Sequence, residues 1–87
     1  MILIDPPAVA RHGRLWSHLA SDASLEELHA FAEAAGVPAR AFDHDHYDVP
    51  EEWFERMVEA GAHPVASREI VRRLRAAGLR RPRRLAT

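Results

Sequence analysis

Ser24-Leu25-Glu26-Glu27-Leu28-His29-Ala30-Phe31-Ala32-Glu33-Ala34-Ala35-Gly36 carries both the start and the stop of one helix. Ser24 can accept from the amide of Glu27 while Glu27 reaches back, which is a capping box. Leu25, Leu28, Phe31, Ala32 and Ala35 follow at helical spacing and make one apolar face. Gly36 suits the left-handed position past the last turn, and Pro38 stops the helix from resuming. The same ending recurs at Glu59-Ala60-Gly61 and at Ala76-Ala77-Gly78. The first two endings lead into short apolar runs, Ala39 to Phe42 and Ala62 to Val65. Helix, glycine, strand, repeated, is the rhythm of an α/β domain with a largely parallel sheet.

Working outward, Ile2-Leu3-Ile4 is a β-branched apolar run stopped by Asp5-Pro6-Pro7, and it reads as a buried strand. Residues 8–14 read as a loop. Leu15 to Leu19 reads as a second strand, with Ser17 on one face and Trp16 and His18 on the other. Asp43-His44-Asp45-His46-Tyr47-Asp48 reads as a polar loop. Asp48 or Val49 then caps a second helix, whose stripe is Trp53, Phe54, Met57 and Val58. Ser67 caps a third helix with Ile70, Val71 and Leu74 inside. The expected fold is a small single α/β domain over 1–78, in β-β-α-β-α-β-α order. Its sheet is short and mostly parallel, with flanking helices. Residues 79–87 form an Arg-rich tail.

Composition removes several classes of function. With no cysteine there is no disulfide framework, thiolate zinc site or cysteine nucleophile. No Gly-rich phosphate loop is present, which argues against the usual nucleotide hydrolysis. The apolar start lacks a basic flank and is too short for a signal peptide or a membrane span, so the expected location is cytoplasmic. Every one of the 12 basic residues is arginine. Residues 1–67 hold four Arg against twelve acids, a net of −8, whereas residues 68–87 hold eight Arg against one Glu, a net of +7. The chain is an acidic body with a basic end.

The spaced set Ser17-His18-Leu19, Asp22, Glu27-Leu28-His29, Gly36, Phe42, His46-Tyr47-Asp48 and Gly61-Ala62 resembles a family of small bacterial and phage proteins, domain-of-unknown-function family 4031. The resemblance runs from about residue 3 to residue 75. The chain departs from the family pattern at Asp5-Pro6, where members often carry two consecutive acids. The resemblance implies one fold unit and a choice of polar residues, with no activity attached.

The polar residues themselves suggest chemistry. Imidazole and carboxylate are the usual ligands for Zn, Mn or a similar divalent metal when thiolate is absent. In an extended segment alternate residues share a face, so His44, His46 and Asp48 are candidate metal ligands. Asp5, His18, His46 and Asp48 are candidate catalytic groups, as ligands, base or acid of a metal-assisted hydrolase. His29, Tyr47 and Ser17 are candidate ligand-binding residues for a small molecule. Ser17 and His18, as strand neighbours, point to opposite faces and so do not form a nucleophile–base pair.

Each candidate has a plainer structural reading. Asp48 serves as a helix cap, His44 and Asp45 as solvated loop residues, His18 as a hydrogen-bonded strand residue, and His29 as a surface partner of Glu33. Two further functions compete with the hydrolase or ligand-binding domain. One is a nucleic-acid-binding or regulatory module using Arg72, Arg75, Arg80 and Arg81, without aromatic residues among them for base stacking. The other is a homodimeric interaction protein that buries part of the wide Trp53–Val58 stripe.

Overall fold

In a computed structural model, residues 1–80 are described. The strands are β1 (Ile2–Ile4), β2 (Val9–Arg11), β3 (Arg14–Ser21), β4 (Phe42–Asp43), β5 (His46–Pro50) and β6 (His63–Pro64). The helices are α1 (Leu25–Ala35), α2 (Phe54–Ala60) and α3 (Ser67–Ala76), with single 3-10 turns at Ala39–Ala41 and Glu51–Trp53. The sheet runs β4-β5-β3-β1-β6, with β2 pairing β3 off that path.

The α/β class holds, but the sheet is mixed. β1 lies antiparallel to β3, β3 to β5, β4 to β5 and β2 to β3, and only β1 and β6 run parallel. Two hairpins account for the difference from the expected parallel sheet. Residues 8–14 are a hairpin whose turn residues, His12 and Gly13, both take positive φ, the geometry that matches strand twist in a two-residue loop. The expected polar loop is likewise a hairpin, with His44 in the turn at φ 59° and His46–Pro50 as a full strand. Asp48 is therefore a mid-strand residue and not a helix cap.

The period-two alternation of β1 puts a core on each face. Ile2 and Ile4 join Leu19, Val49, Leu28 and Met57 under α1 and α2, while Leu3 joins Ala20, Ile70 and Leu74 under α3. Trp53, Phe54 and Val58 are half-buried against the first of these cores. Burial of Ile70 and Leu74 contributes roughly 1.5–3 kcal/mol each toward docking α3. After α3 the chain folds back: the amides of Leu79 and Arg80 both donate to the Leu74 carbonyl, and Leu79 packs on the second core. Packing thus continues two residues past the expected boundary at 78. Among the described residues, no helix is long and apolar enough to cross a membrane.

The α1 helix keeps the start and stop read from its sequence, with one substitution of partner. The Ser24 hydroxyl accepts from the Glu27 amide at 3.0 Å, but Glu27 bonds to Ser21 and Met1, and Ser21 Oγ accepts from the Ser24 amide instead. Gly36 sits at φ 82°, and a Cβ built there meets only the Arg56 guanidinium at 3.8 Å, an ordinary contact. Gly36→Ala is therefore expected to cost about 1–2 kcal/mol of unfolding free energy from backbone strain alone. Urea denaturation checks it; an unchanged midpoint would contradict the assignment of strain.

Candidate metal centre on the sheet face

The site grows out of strand register. Ile4 faces Leu19 across β1 and β3, so the next residue, Asp5, comes level with His18. His18 in turn faces Asp48 across β3 and β5. Three adjacent strands therefore set Asp5, His18 and Asp48 in one row, and alternation along β5 puts His46 on the same face as Asp48. This is the α3 face of the sheet, with α3 covering the Leu3 and Ala20 half and leaving the His18 half open. The cluster thus lies on a sheet face and not at the carboxyl edge of parallel strands, because the pairing that builds it is antiparallel.

Each imidazole is held by its own carboxylate. Asp5, 1% exposed, accepts from the His18 amide at 2.6 Å, from His18 Nδ1 at 2.8 Å and from the Ser67 hydroxyl at 2.7 Å. Asp45, 7% exposed, accepts from His46 Nδ1 at 2.8 Å and takes a two-pronged contact from Arg80, at 2.7 Å on each oxygen. A carboxylate facing Nδ1 obliges that nitrogen to carry a proton, which leaves Nε2 of a neutral ring with its lone pair outward. The two rings meet edge to face, 4.9 Å between centroids. His46 Nε2 lies 3.3 Å from Asp48 Oδ1. His18, His46 and Asp48 each offer one ligand atom, all within 4.8 Å of one another.

With Nδ1 donating to Asp45, His46 Nε2 and Asp48 Oδ1 are both acceptors, an arrangement that suits a shared cation. Asp48 Oδ2 also receives Arg11 at 3.3 Å.

The charge balance of the Asp5–His18 pair has a pH signature. Burial pushes the Asp5 pKa up, but the hydrogen bonds from the His18 side chain and amide and from Ser67 outweigh it, so Asp5 ends below its ordinary 3.8. The Asp5 hydrogen bond raises His18 above its ordinary 6.5 against the opposing effect of burial. Asp5 therefore stabilises the fold above 3.8, and that contribution is lost as pH falls through its depressed folded value. His18 stabilises it below 6.5, and that contribution is lost as pH rises through its raised folded value. In metal-free protein the melting-temperature gap between wild type and Asp5→Asn should be widest between pH 3.8 and 6.5 and narrow on both sides. A gap that does not change with pH would contradict the pairing.

The other expected site residues are placed elsewhere. His44 is not brought to the cluster: its side chain is 92% exposed and bonds to Asp43, because the turn breaks the alternation that would have aligned it with His46. Ser17 is buried on the opposite face from His18, with no hydrogen-bond partner for its hydroxyl among the described residues. His29 Nδ1 and the Tyr47 hydroxyl lie 2.6 Å apart on that same far face, edge to face with Phe42. Burial raises the Tyr47 hydroxyl pKa. Of the basic candidates, Arg72 pairs with Glu69 and Arg80 with Asp45, Arg75 is exposed, and Arg81 lies outside the described residues.

The sequence reads Asp45 as a solvated loop residue, Ser67 as a helix cap and Arg80 as part of a nucleic-acid-binding end, and not as supports of the site. The hydrogen bonds of Arg80 to Asp45 and of Ser67 to Asp5 span 35 and 62 residues, distances at which no local pattern carries a signal.

No curated protein and no solved structure matches the chain. A family model described as "Protein of unknown function (DUF4031)" matches residues 2–77, nearly the whole described fold and every residue of the cluster except Arg80. The chain belongs to this family.

Proposed function

We propose that the chain is a small metal-assisted hydrolase that binds one divalent transition metal through His18, His46 and Asp48. The observation that carries this reading is the pair of imidazoles whose Nδ1 atoms are each fixed by a buried carboxylate, with a third carboxylate in reach. Carboxylate–histidine–metal relays of this kind set the tautomer and aim Nε2 at the ion. Three protein ligands leave positions open for water and substrate, as catalytic rather than structural sites do.

When bound, the metal would polarise a phosphoryl or acyl oxygen and lower the pKa of water. The chain's own residues fix the ligands. Asp5 and Asp45 hold the imidazoles, and Ser67 and Arg80 hold those carboxylates in turn. Arg11, more than half exposed beside Asp48, is placed to meet negative charge on a substrate oxygen. In the overall reaction the water oxygen forms the new bond, and the ester oxygen leaves with a proton.

The reading is tested by calorimetric titration of chelator-stripped protein with Zn2+, Mn2+ and Fe2+, since two imidazoles and one carboxylate also suit ferrous iron. Saturable binding of one ion per chain is expected. A flat titration with all three ions would end the proposal. Arg80→Gln, which loosens Asp45 without touching a ligand, is expected to weaken the metal about 10–100-fold. An unchanged affinity would show that Asp45 needs no such support.

The nucleic-acid alternative draws less support, because Arg72 and Arg80 are engaged in ion pairs within the chain.

A further inference from the structure

Beside the metal cluster lies a cleft of about 600 Å³, within the usual range of small-ligand sites of roughly 300–1,000 Å³. Asp48 belongs to both, as a wall of the cleft and as a member of the His18–His46–Asp48 group. The lining also includes three arginines, Arg11, Arg14 and Arg40, and both of the tryptophans that the sequence contains, Trp16 and Trp53.

The cations are available to a ligand. Arg14 and Glu52, 3.1 Å apart, are each about half exposed, a pairing worth little in water. Arg11 meets Asp48 at a long 3.3 Å, and a cation bound at Asp48 would weaken that attraction further. Arg40 has no acidic partner among the described residues. The other acid of the lining, Asp43, is engaged by His44 at 2.6 Å. The lining therefore holds three guanidinium groups against two carboxylates, and the planar fork of a guanidinium suits phosphate oxygens.

Each aromatic ring has contacts that orient it. Trp16 Nε1 donates to the Arg11 carbonyl at 3.0 Å, and Arg14 lies 6.0 Å from the ring centroid. Trp53 is stacked by Arg56, at 4.6 Å from its centroid. Indoles beside exposed guanidinium groups, one unpaired among the described residues and two only weakly paired, suit a ligand with a flat ring and an anionic group, since stacking on an aromatic face contributes about 1–3 kcal/mol per base.

We infer that this cleft binds a small organic phosphate carrying a planar ring, with the chemistry of a nucleoside monophosphate, its phosphate toward the arginines and its ring on the tryptophans. Treating this ligand as the substrate of the hydrolase rests on the metal-site reading; the binding does not, so the experiment is run in a chelator. Because both tryptophans line the cleft, their fluorescence reports its occupancy directly. Adenosine monophosphate, adenosine and inorganic phosphate are titrated against the full chain in EDTA. Adenosine monophosphate is expected to quench saturably and to bind at least tenfold more tightly than either fragment. The double variant Arg14→Gln/Arg40→Gln, which alters two exposed side chains, is expected to melt like the wild type, to lose at least tenfold in affinity for adenosine monophosphate and to keep its affinity for adenosine. Equal affinities for adenosine monophosphate and adenosine, or a double variant that binds adenosine monophosphate like the wild type, would overturn the inference. A flat metal titration alongside saturable quenching would remove the hydrolase and leave the phosphate cleft standing.

Discussion

If the proposed site binds a divalent metal, His46→Ala is expected to abolish the thermal stabilisation that the metal would confer. A ligand that binds only the folded chain stabilises it by about 2.7 kcal/mol at a free concentration of 100 times its dissociation constant. In a domain of this size that corresponds to a rise in melting temperature of about 10–20 °C. Removing His46 leaves His18 and Asp48, too few to hold a transition metal against water, so the rise should vanish. The fold should survive, because the His46 side chain is on the open half of the sheet face and outside both apolar cores. The matched control is His44→Ala, two residues away at the exposed turn, which should keep the full rise. Scanning fluorimetry with and without Zn2+ reads both variants. If the two behave alike, metal binding does not run through the strand face.

Substitutions at Asp5 are expected to separate folding from metal binding. Asp5→Ala removes a buried acceptor and orphans the His18 amide and the Ser67 hydroxyl, at a cost of about 3 kcal/mol. Asp5→Asn keeps the shape and can still accept from the His18 amide, so its cost should be less than half as large. The asparagine amide, however, donates where the carboxylate accepted. It forces His18 Nδ1 to act as the acceptor and moves the ring proton to Nε2, the atom that must face the metal. Metal affinity should then fall about 10–100-fold in a protein that remains folded. Urea denaturation and calorimetry on the same two variants check the pair. An Asp5→Asn protein that binds metal as tightly as wild type would mean that His18 is no ligand.

The local features of this chain were legible in its sequence, and the long-range ones were not. Ser24 and Gly36 bound α1 as their residue types require, and Ile2-Leu3-Ile4 forms a strand buried on both faces. Alternation placed Ser17 opposite His18, and His46 together with Asp48, before any register was known. Two misreadings had a common cause. The segments around His12-Gly13 and His44-Asp45 are polar enough to look like loops, yet both are tight hairpin turns. Those hairpins turned an expected parallel sheet into a mixed one.

They also explain what the sequence could not supply about the site. Asp5, His18 and Asp48 are neighbours only because β3 sits between β1 and β5, a pairing choice made by core burial and not by any motif. Arg80 looked like part of a basic tail because its partner, Asp45, is 35 residues away. Likewise, Ser67 looked like a helix cap; Ala66 holds that position, and the Ser67 hydroxyl serves Asp5.

The proposed metal site thus rests on two imidazoles, each hydrogen-bonded through Nδ1 to a buried carboxylate, and on a third carboxylate, all set by strand register on one sheet face. The most direct test is an anomalous difference map from crystals grown with Zn2+. One strong peak per chain is expected, about 2.0–2.2 Å from His18 Nε2, His46 Nε2 and an Asp48 oxygen. A map with zinc only at exposed histidines such as His44 or His63, and none between these three side chains, would contradict it.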